Sequence, residues 1–329
     1  MSTQKLKRLG ATGPEVFPIA LGCMGMSGMY GQSTEDESVA TIQRAVDLGV
    51  NLIDTGDFYG MGHNELLVGR ALAGRRDKVQ ISVKFGAMRG PDGAWVGMDT
   101  RPVAVQNFAA YSLRRLGVDV IDIYRPSRLD PQVPIEDTIG AIAQLVKKGY
   151  VRHIGLSEVG AETIRRAHAV HPIVDLQIEY ALVSRTPEAK IFPVLEELGI
   201  SATLYGVLSR GLLSGSKPTG PGDFRAYLPR FAAGNAAGND AVVDRLKGFA
   251  AARGMTAAQV CIAWALAKQP RLVPLIGART REQLDSTLST LEHPLSASDV
   301  AELESLVPAD AIAGTRYAEA QMAHLDSER

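Results

Sequence analysis

Cysteine is nearly absent from this chain: two residues in 329, Cys23 and Cys261. Neither sits in a spacing that suits a metal, and two reduced, buried thiols are what an intracellular protein carries. Histidine is equally scarce, at six residues with no His-x-His pair. His168 and His171 fall on a helical stretch ahead of Pro172, a place for capping or solvent contact, so a barrel metallohydrolase is disfavoured and no metal site is expected. No charge of either sign dominates: 35 basic residues face 36 acidic ones, which gives no footprint for a nucleic acid or an anionic membrane. No run approaches the ~18 apolar residues of a membrane span. The opening MSTQKLKRLG holds no apolar signal region. The expectation is a soluble cytoplasmic protein whose partner is a small molecule. A GxSxG nucleophile elbow is also missing. Gly22, Gly25 and Gly28 are spaced GxxGxxG rather than GxGxxG, and no long helix opens directly after them, which argues against a Rossmann site.

What the chain does contain is alternation. Short apolar runs at 19–23, 52–54, 79–84, 121–124, 153–157, 175–179, 200–205 and 272–276 read as eight strands. Helical patterns lie between them. Thr34 followed by Glu37 reads as a capping box for 38–48, closed by Gly49. Residues 134–148 end at Gly149, 161–171 before Pro172, and 187–198 at Gly199; 241–253, 256–268, 281–291 and 298–306 follow. Eight βα units predict an α/β chain folded as a (β/α)8 TIM barrel, one domain spanning 1–329, with extra C-terminal helices. A doubly wound open sheet is the alternative. Segments 5–9 and 15–17 flank Gly10-Ala11-Thr12-Gly13-Pro14 and predict an N-terminal hairpin on the barrel floor. Residues 214–238, rich in Gly, Pro and Ala, read as a lid or binding loop. The tail 309–329 has weak periodicity and either crosses the barrel mouth or is disordered.

In such a barrel the working residues stand at the C-terminal ends of the strands. Strand two ends on Asp54, with Tyr59 five residues later, and strand three ends on Lys84. A phenol of pKa near ~10 is a poor acid at neutral pH, and a nearby cation held by a carboxylate would bring it into range. Asp54, Tyr59 and Lys84 are therefore the expected proton-donor group. The other strand ends supply Cys23, Met24, Ser127, Ser157, Glu158, Gln177 and Tyr205. Two features suggest a nucleotide. Tyr205 leads into 206–213, where an aromatic could stack on a flat ring while the small residues cradle a diphosphate through backbone N–H groups. Gly206, Leu208, Ser209, Arg210, Gly211 and Leu213 are the cofactor candidates of this run. Gly277-Ala278-Arg279-Thr280 opens a helix, and a helix N-terminus with an arginine attracts phosphate. Met24, Met26, Met29, Met88 and Trp95 suggest an adaptable apolar pocket.

LIDTGDFYG at 52–60, ISVKFG at 81–86, SLRRLGVDVIDIY at 112–124, VRHIGLSEV at 151–159, LQIEY at 176–180, SRGLLSG at 209–215 and IGARTREQL at 276–284 together resemble the aldo-keto reductases, from about Leu6 to Leu306. The look is nearest to the pyridoxal reductase-like and auxin-induced-type branch. The resemblance implies a (β/α)8 barrel that uses NADPH/NADP+ without a Rossmann fold and transfers hydride reversibly to an aldehyde or ketone. It implies Tyr59 as the acid, Lys84 lowering its pKa, and Asp54 pairing with Lys84. It places Gly22, Cys23 and Met24 among the cofactor-binding residues, Ser157 and Gln177 on the carboxamide and Tyr205 on the nicotinamide ring. It implies Ser209, Arg210, Gly211 and Leu213 along the diphosphate. Gly277, Ala278, Arg279 and Gln283 fall at the adenosine end, with Arg279 facing a 2′-phosphate. Met24, Met29, Met88, Trp95, Arg125 and Arg128 would line the substrate pocket.

Four departures bear on function. Ser127 stands where most of the family has a substrate-facing His. It has one short hydroxyl and no cationic form, so either a water bridges the gap or Tyr59 alone polarises the carbonyl, in a slower enzyme that accepts bulkier ketones. Glu158 replaces the usual Asn. Ser286 and Thr287 replace a common Glu-Asn near the adenine. Arg125 replaces a common Gln and puts a cation near the mouth, where it favours acidic substrates or pairs with Asp130. Besides a carbonyl reductase, two readings remain: a cofactor-binding regulatory subunit with little turnover, and a protein working mainly as an alcohol or sugar dehydrogenase.

Overall fold

The computed structural model describes residues 4–28, 30, 33–220, 222–323 and 325–329. Eight strands, numbered here on their own, close into a parallel barrel: β1 Ala20–Gly22, β2 Leu52–Gly56, β3 Gln80–Phe85, β4 Ile121–Pro126, β5 Val151–Ser157, β6 Ile173–Glu179, β7 Ser201–Tyr205 and β8 Leu272–Gly277. Each strand pairs with its sequence neighbours, and β8 pairs with β1 to close the ring. This is the (β/α)8 architecture expected from the sequence. Parallel strands need crossovers, and the amphipathic helices supply them on the outside.

The floor is sealed by a hairpin, Lys7–Arg8 against Glu15–Val16. Leu9 and Val16 enter the barrel's lower end and pack with Ala20, Leu52, Ile123, Val174, Val273 and Leu275. Gly10 turns back at φ 61°, where an added Cβ would lie 2.5 Å from the Val174 carbonyl oxygen. That close approach requires glycine.

Helix Glu35–Asp47 starts at Thr34, whose side chain accepts from the Glu37 amide. The Glu37 carboxylate does not complete the expected capping box; it pairs with Arg281. Full capping boxes occur at Thr256 with Gln259 and at Ser296 with Asp299. The helix expected at 241–253 begins earlier, as Ala233–Ala251, so the 214–238 loop is shorter than its composition suggests. It contains two short 3-10 turns, Phe224–Tyr227 and Pro229–Phe231. A second hairpin, Ala87–Arg89 with Trp95–Met98, stands over the end of β3. The tail beyond Val307 crosses the barrel mouth, the first of the two arrangements expected for it.

Candidate active site

The barrel interior above the floor is polar. Because side chains alternate along a strand, Ser82 and Lys84 of β3 point inward together, as do Ile123 and Arg125 of β4. Arg125 forms a fully buried pair with Asp175, 2.9 Å between Nη2 and Oδ1. It also donates to Ser82 Oγ at 3.1 Å and to the Leu156 carbonyl at 3.2 Å. Thr203 Oγ1 donates to Asp175 at 2.7 Å. Arg125 therefore does not face the mouth and does not pair with Asp130. It lies beneath the site as part of the interior packing, and a cation for substrate has to come from elsewhere.

This layer carries the next one. Asp54 Oδ2 accepts from Ser82 Oγ at 2.8 Å and from Gln177 Nε2 at 2.9 Å. Its Oδ1 accepts from the Lys84 ammonium, and both side chains are buried. Lys84 Nζ lies 5.4 Å from the Tyr59 ring centroid. The chain reaches Tyr59 through Gly56, where a Cβ would already stand 3.3 Å from the tyrosine ring. Phe58 holds the ring edge-to-face at 4.8 Å. The four segments of the motif readings thus meet at one point: Asp54 from β2, Tyr59 after it, Lys84 from β3 and Gln177 from β6.

The electrostatics differ from the simple expectation. Burial, then the Asp54 charge and the nearby Tyr30, push the Tyr59 phenol well above its ordinary range, while Arg128 pulls it down. Lys84 is itself lowered by burial against the opposing pull of Asp54. The phenol holds its proton in this arrangement, and Arg128 is the foremost charge pulling the other way. Ser127 is buried, with its amide on the Phe85 carbonyl at 2.8 Å and its hydroxyl donating to Met98 Sδ at 3.7 Å. It backs the wall beside β3.

The residues expected at the nucleotide stand at the same ends of the strands or in the loops that follow them. Ser157 Oγ is buried without a hydrogen-bond partner among the described residues. Cys23 is buried, its amide on the Asp54 carbonyl at 2.9 Å, and Gly22 lies in register with Asp54. Met24 opens a 3-10 turn after β1. After β7, Gly206, Ser209, Arg210 and Gly211 take left-handed φ values of 67°, 48°, 56° and 91°. Two of these are non-glycine residues, a strain that collects at ligand-binding loops. Leu208 and Leu213 anchor that loop in the core. At the end of β8 Gly277 is exposed, and Ala278 after it is buried. The Arg279 amide donates to Gln283 Oε1 at 2.9 Å, and its guanidinium reaches the Tyr30 carbonyl at 2.7 Å. Trp95 is half exposed on the second hairpin, with Arg89 over its ring, and Met88 is half-buried. Met29 lies outside the described residues.

A match to the aldo/keto reductase family spans residues 18–308. The chain belongs to that family. It is 40% identical to "Probable aldo-keto reductase 1" of Glycine max over 319 residues, covering 94% of this chain and 91% of the relative. Among solved structures, the glycerol dehydrogenase AKR11B4 from Gluconobacter oxydans superimposes with a TM-score of 0.83 at 29% identity, over 94% of this chain and 97% of that one. An aldo/keto reductase from Klebsiella pneumoniae in complex with NADP and acetate gives 0.74 at 25% identity, over 93% and 96%. Membership makes this chain an NADP(H)-using oxidoreductase.

In this aldo/keto reductase the tail supplies site residues that no local sequence pattern pointed to. Arg316 enters the mouth and clamps the fully buried Glu158, at 3.1 Å to Oε1 and 2.7 Å to Oε2. Ser327 adds a bond to Oε2 at 2.7 Å and Tyr205 one to Oε1 at 2.8 Å. Burial would raise the Glu158 pKa, but Arg316, Arg128 and the Glu179 amide outweigh it and bring it down to about 2. Tyr317 sets its hydroxyl 3.1 Å from that of Tyr205 and 3.2 Å from Arg128 Nη2, with Arg210 stacked 4.4 Å from its ring centre. Arg210 is tied in turn to Glu179 at 2.9 Å.

Proposed function

We propose that this protein reduces the carbonyl of an aldehyde or ketone to an alcohol, reversibly, with Tyr59 as proton donor and NADPH as reductant. The observation that carries the reading is the Asp54–Lys84 pair buried beneath the Tyr59 ring. The residues present fit a dinucleotide. Among the described residues Ser157 Oγ is a buried hydroxyl without a partner, the kind of group that a carboxamide would satisfy. The left-handed turn at Ser209 and Arg210 and the helix start at Thr280 suit phosphates. A nicotinamide bound there would supply the hydride. Tyr59 then gives its proton to the oxygen of the reduced carbonyl, and in oxidation takes it back. A phenol raised well above its ordinary pKa carries that proton at any working pH. The phenolate left behind is stabilised by Lys84 and Arg128, and Asp54 keeps the lysine in place. Gln177, bonded to Asp54, ties the acid–base pair to the nucleotide side of the barrel.

Because the reaction is reversible, the same groups serve alcohol oxidation, and the solved neighbour named as a glycerol dehydrogenase works in that chemistry. Initial rates with NADPH and NADH against aldehydes, ketones and polyols test the reading, together with Arg279→Ala. Repeated turnover, weakened selectively for NADPH in the variant, supports it. Tight NADPH binding with no turnover on any carbonyl or alcohol would replace it with the regulatory alternative.

A further inference from the structure

The mouth of the barrel gathers four guanidinium groups, and their pairing is unequal. Arg210 is paired with Glu179, and Arg230 stands 3.8 Å from the same carboxylate. Arg316 is paired with Glu158 and Glu328. Arg128 makes no ion pair among the described residues. Its donors go to the Ser127 carbonyl at 2.6 Å and the Tyr317 hydroxyl at 3.2 Å. A guanidinium has five N–H donors, so two single bonds leave most of its fork unused. Arg128 is half-buried, and Glu158, the carboxylate whose charge it feels, already takes hydrogen bonds from Arg316, Ser327, Tyr205 and the Glu179 amide. Among the described residues three of these four guanidinium groups pair with Glu179, Glu158 or Glu328, and the fourth, Arg128, is near enough for its charge to act on the Tyr59 phenol.

Its location follows from the chain. Arg128 is two residues beyond the end of β4, and the preceding Ser127 amide is pinned to Phe85 at the end of β3, the strand that carries Lys84. The Tyr59 phenol feels the charge of Arg128, and the Tyr317 hydroxyl lies 3.2 Å from Arg128 Nη2.

We propose that Arg128, with the Tyr317 hydroxyl beside it, anchors a carboxylate on the substrate. The enzyme would thus act on carbonyl compounds that carry an acid group. The inference rests on the carbonyl reduction proposed above and names its substrate class. A carboxylate matches the planar fork two oxygens to two N–H groups. A phosphate dianion suits the place less well, because one unpaired cation answers one negative charge and Glu158 repels the second. Tyr317 comes from the tail, so the anchor is complete only when the tail lies across the mouth.

The test compares 4-carboxybenzaldehyde with its methyl ester, a neutral aldehyde of similar shape, under saturating NADPH. The parent should prefer the acid in kcat/KM, mainly through KM. Arg128→Gln should reduce the acid-to-ester ratio about 10- to 100-fold, the worth of a charge-assisted hydrogen-bonded contact. Arg128→Lys should recover part of that ratio, since it restores the charge without the fork. A parent that does not prefer the acid, or a ratio unchanged in Arg128→Gln, overturns the proposal. If neither aldehyde is reduced, carbonyl reduction itself is in error, and binding decides the anchor separately. Benzoate should then bind the NADPH-loaded protein more tightly than benzamide, by fluorescence titration, and lose that advantage in Arg128→Gln; equal binding of the two overturns the anchor.

Discussion

Replacing Arg316 by alanine removes the cation that neutralises Glu158. The carboxylate is fully buried, and Arg316 gives it two hydrogen bonds as well as a charge. Breaking one side of such a pair costs about 3–5 kcal/mol. Tyr205, Ser327 and the Glu179 amide keep their bonds to Glu158, so the lower end of that range applies while the tail stays docked. At about 2 °C of melting temperature per kcal/mol for a protein of this size, the loss is about 6 °C. The tail has a second course open to it, which is to leave and let water reach Glu158. In that event the fall in melting temperature is smaller, but the segment around Tyr317 becomes a protease target. The pH dependence gives an independent reading. Glu158 is held at about 2, below its ordinary value near 4.5. Its contribution to stability is therefore present above about 4.5 and lost as the pH falls toward about 2. The variant should lose less stability than the parent across that window. Glu158→Gln combined with Arg316→Gln should recover much of the melting temperature, because no charge is then stranded. Calorimetry and limited proteolysis measure these effects. A variant that melts within 1 °C of the parent and keeps a protected tail would refute the claim that Arg316 holds the tail across the mouth.

Two further outcomes follow from the site. Asp57, beside the turn that carries Tyr59, is buried with both carboxylate oxygens unpartnered among the described residues; burial, reinforced by Glu65, pushes its pKa up to about 8. Its folded pKa is raised, so stability is complete below about 4 and declines as the pH rises toward about 8; Asp57→Asn should remove that decline in denaturant titrations, and an unchanged pH profile would contradict it. Ser127→His should change kcat more than the dissociation constant for NADPH, by up to the ~10²–10⁴ of one acid–base group, provided the ring displaces the Met98 contact; equal turnover in single-turnover kinetics would count against any role for position 127.

The barrel was legible because its strands are short apolar runs bounded by turn residues, and all eight strands overlap the runs read from the sequence. The segments carrying Asp54, Tyr59 and Lys84 were legible because each lies at or just after the C-terminal end of a barrel strand. Arg125 was misplaced by reading its position near a strand end without its parity: it points inward with Ile123, where Asp175 meets it. The second hairpin had a local signal, Gly90-Pro91-Asp92-Gly93 between two β-type runs, that counting barrel strands passed over. Arg316 and Tyr317 had none. Their partners on the barrel, Glu158 and Tyr205, lie more than a hundred residues away in sequence, and an irregular tail has no periodicity to show which side chains turn inward. Ser127 shows a further limit. Its hydroxyl turns toward Met98 because the wall of the second hairpin lies there, and that wall was not foreseen.

The central claim is that Tyr59 delivers the proton, and Tyr59→Phe tests it most directly because it removes one oxygen and keeps the ring packed on Phe58. NADPH affinity from fluorescence titration and hydride transfer from stopped-flow should be measured on the same preparation. The account predicts affinity within a few-fold of the parent and a transfer rate lower by about 10²–10⁴. Parent-like transfer in Tyr59→Phe would contradict it, and would move the proton donor to another group at the mouth.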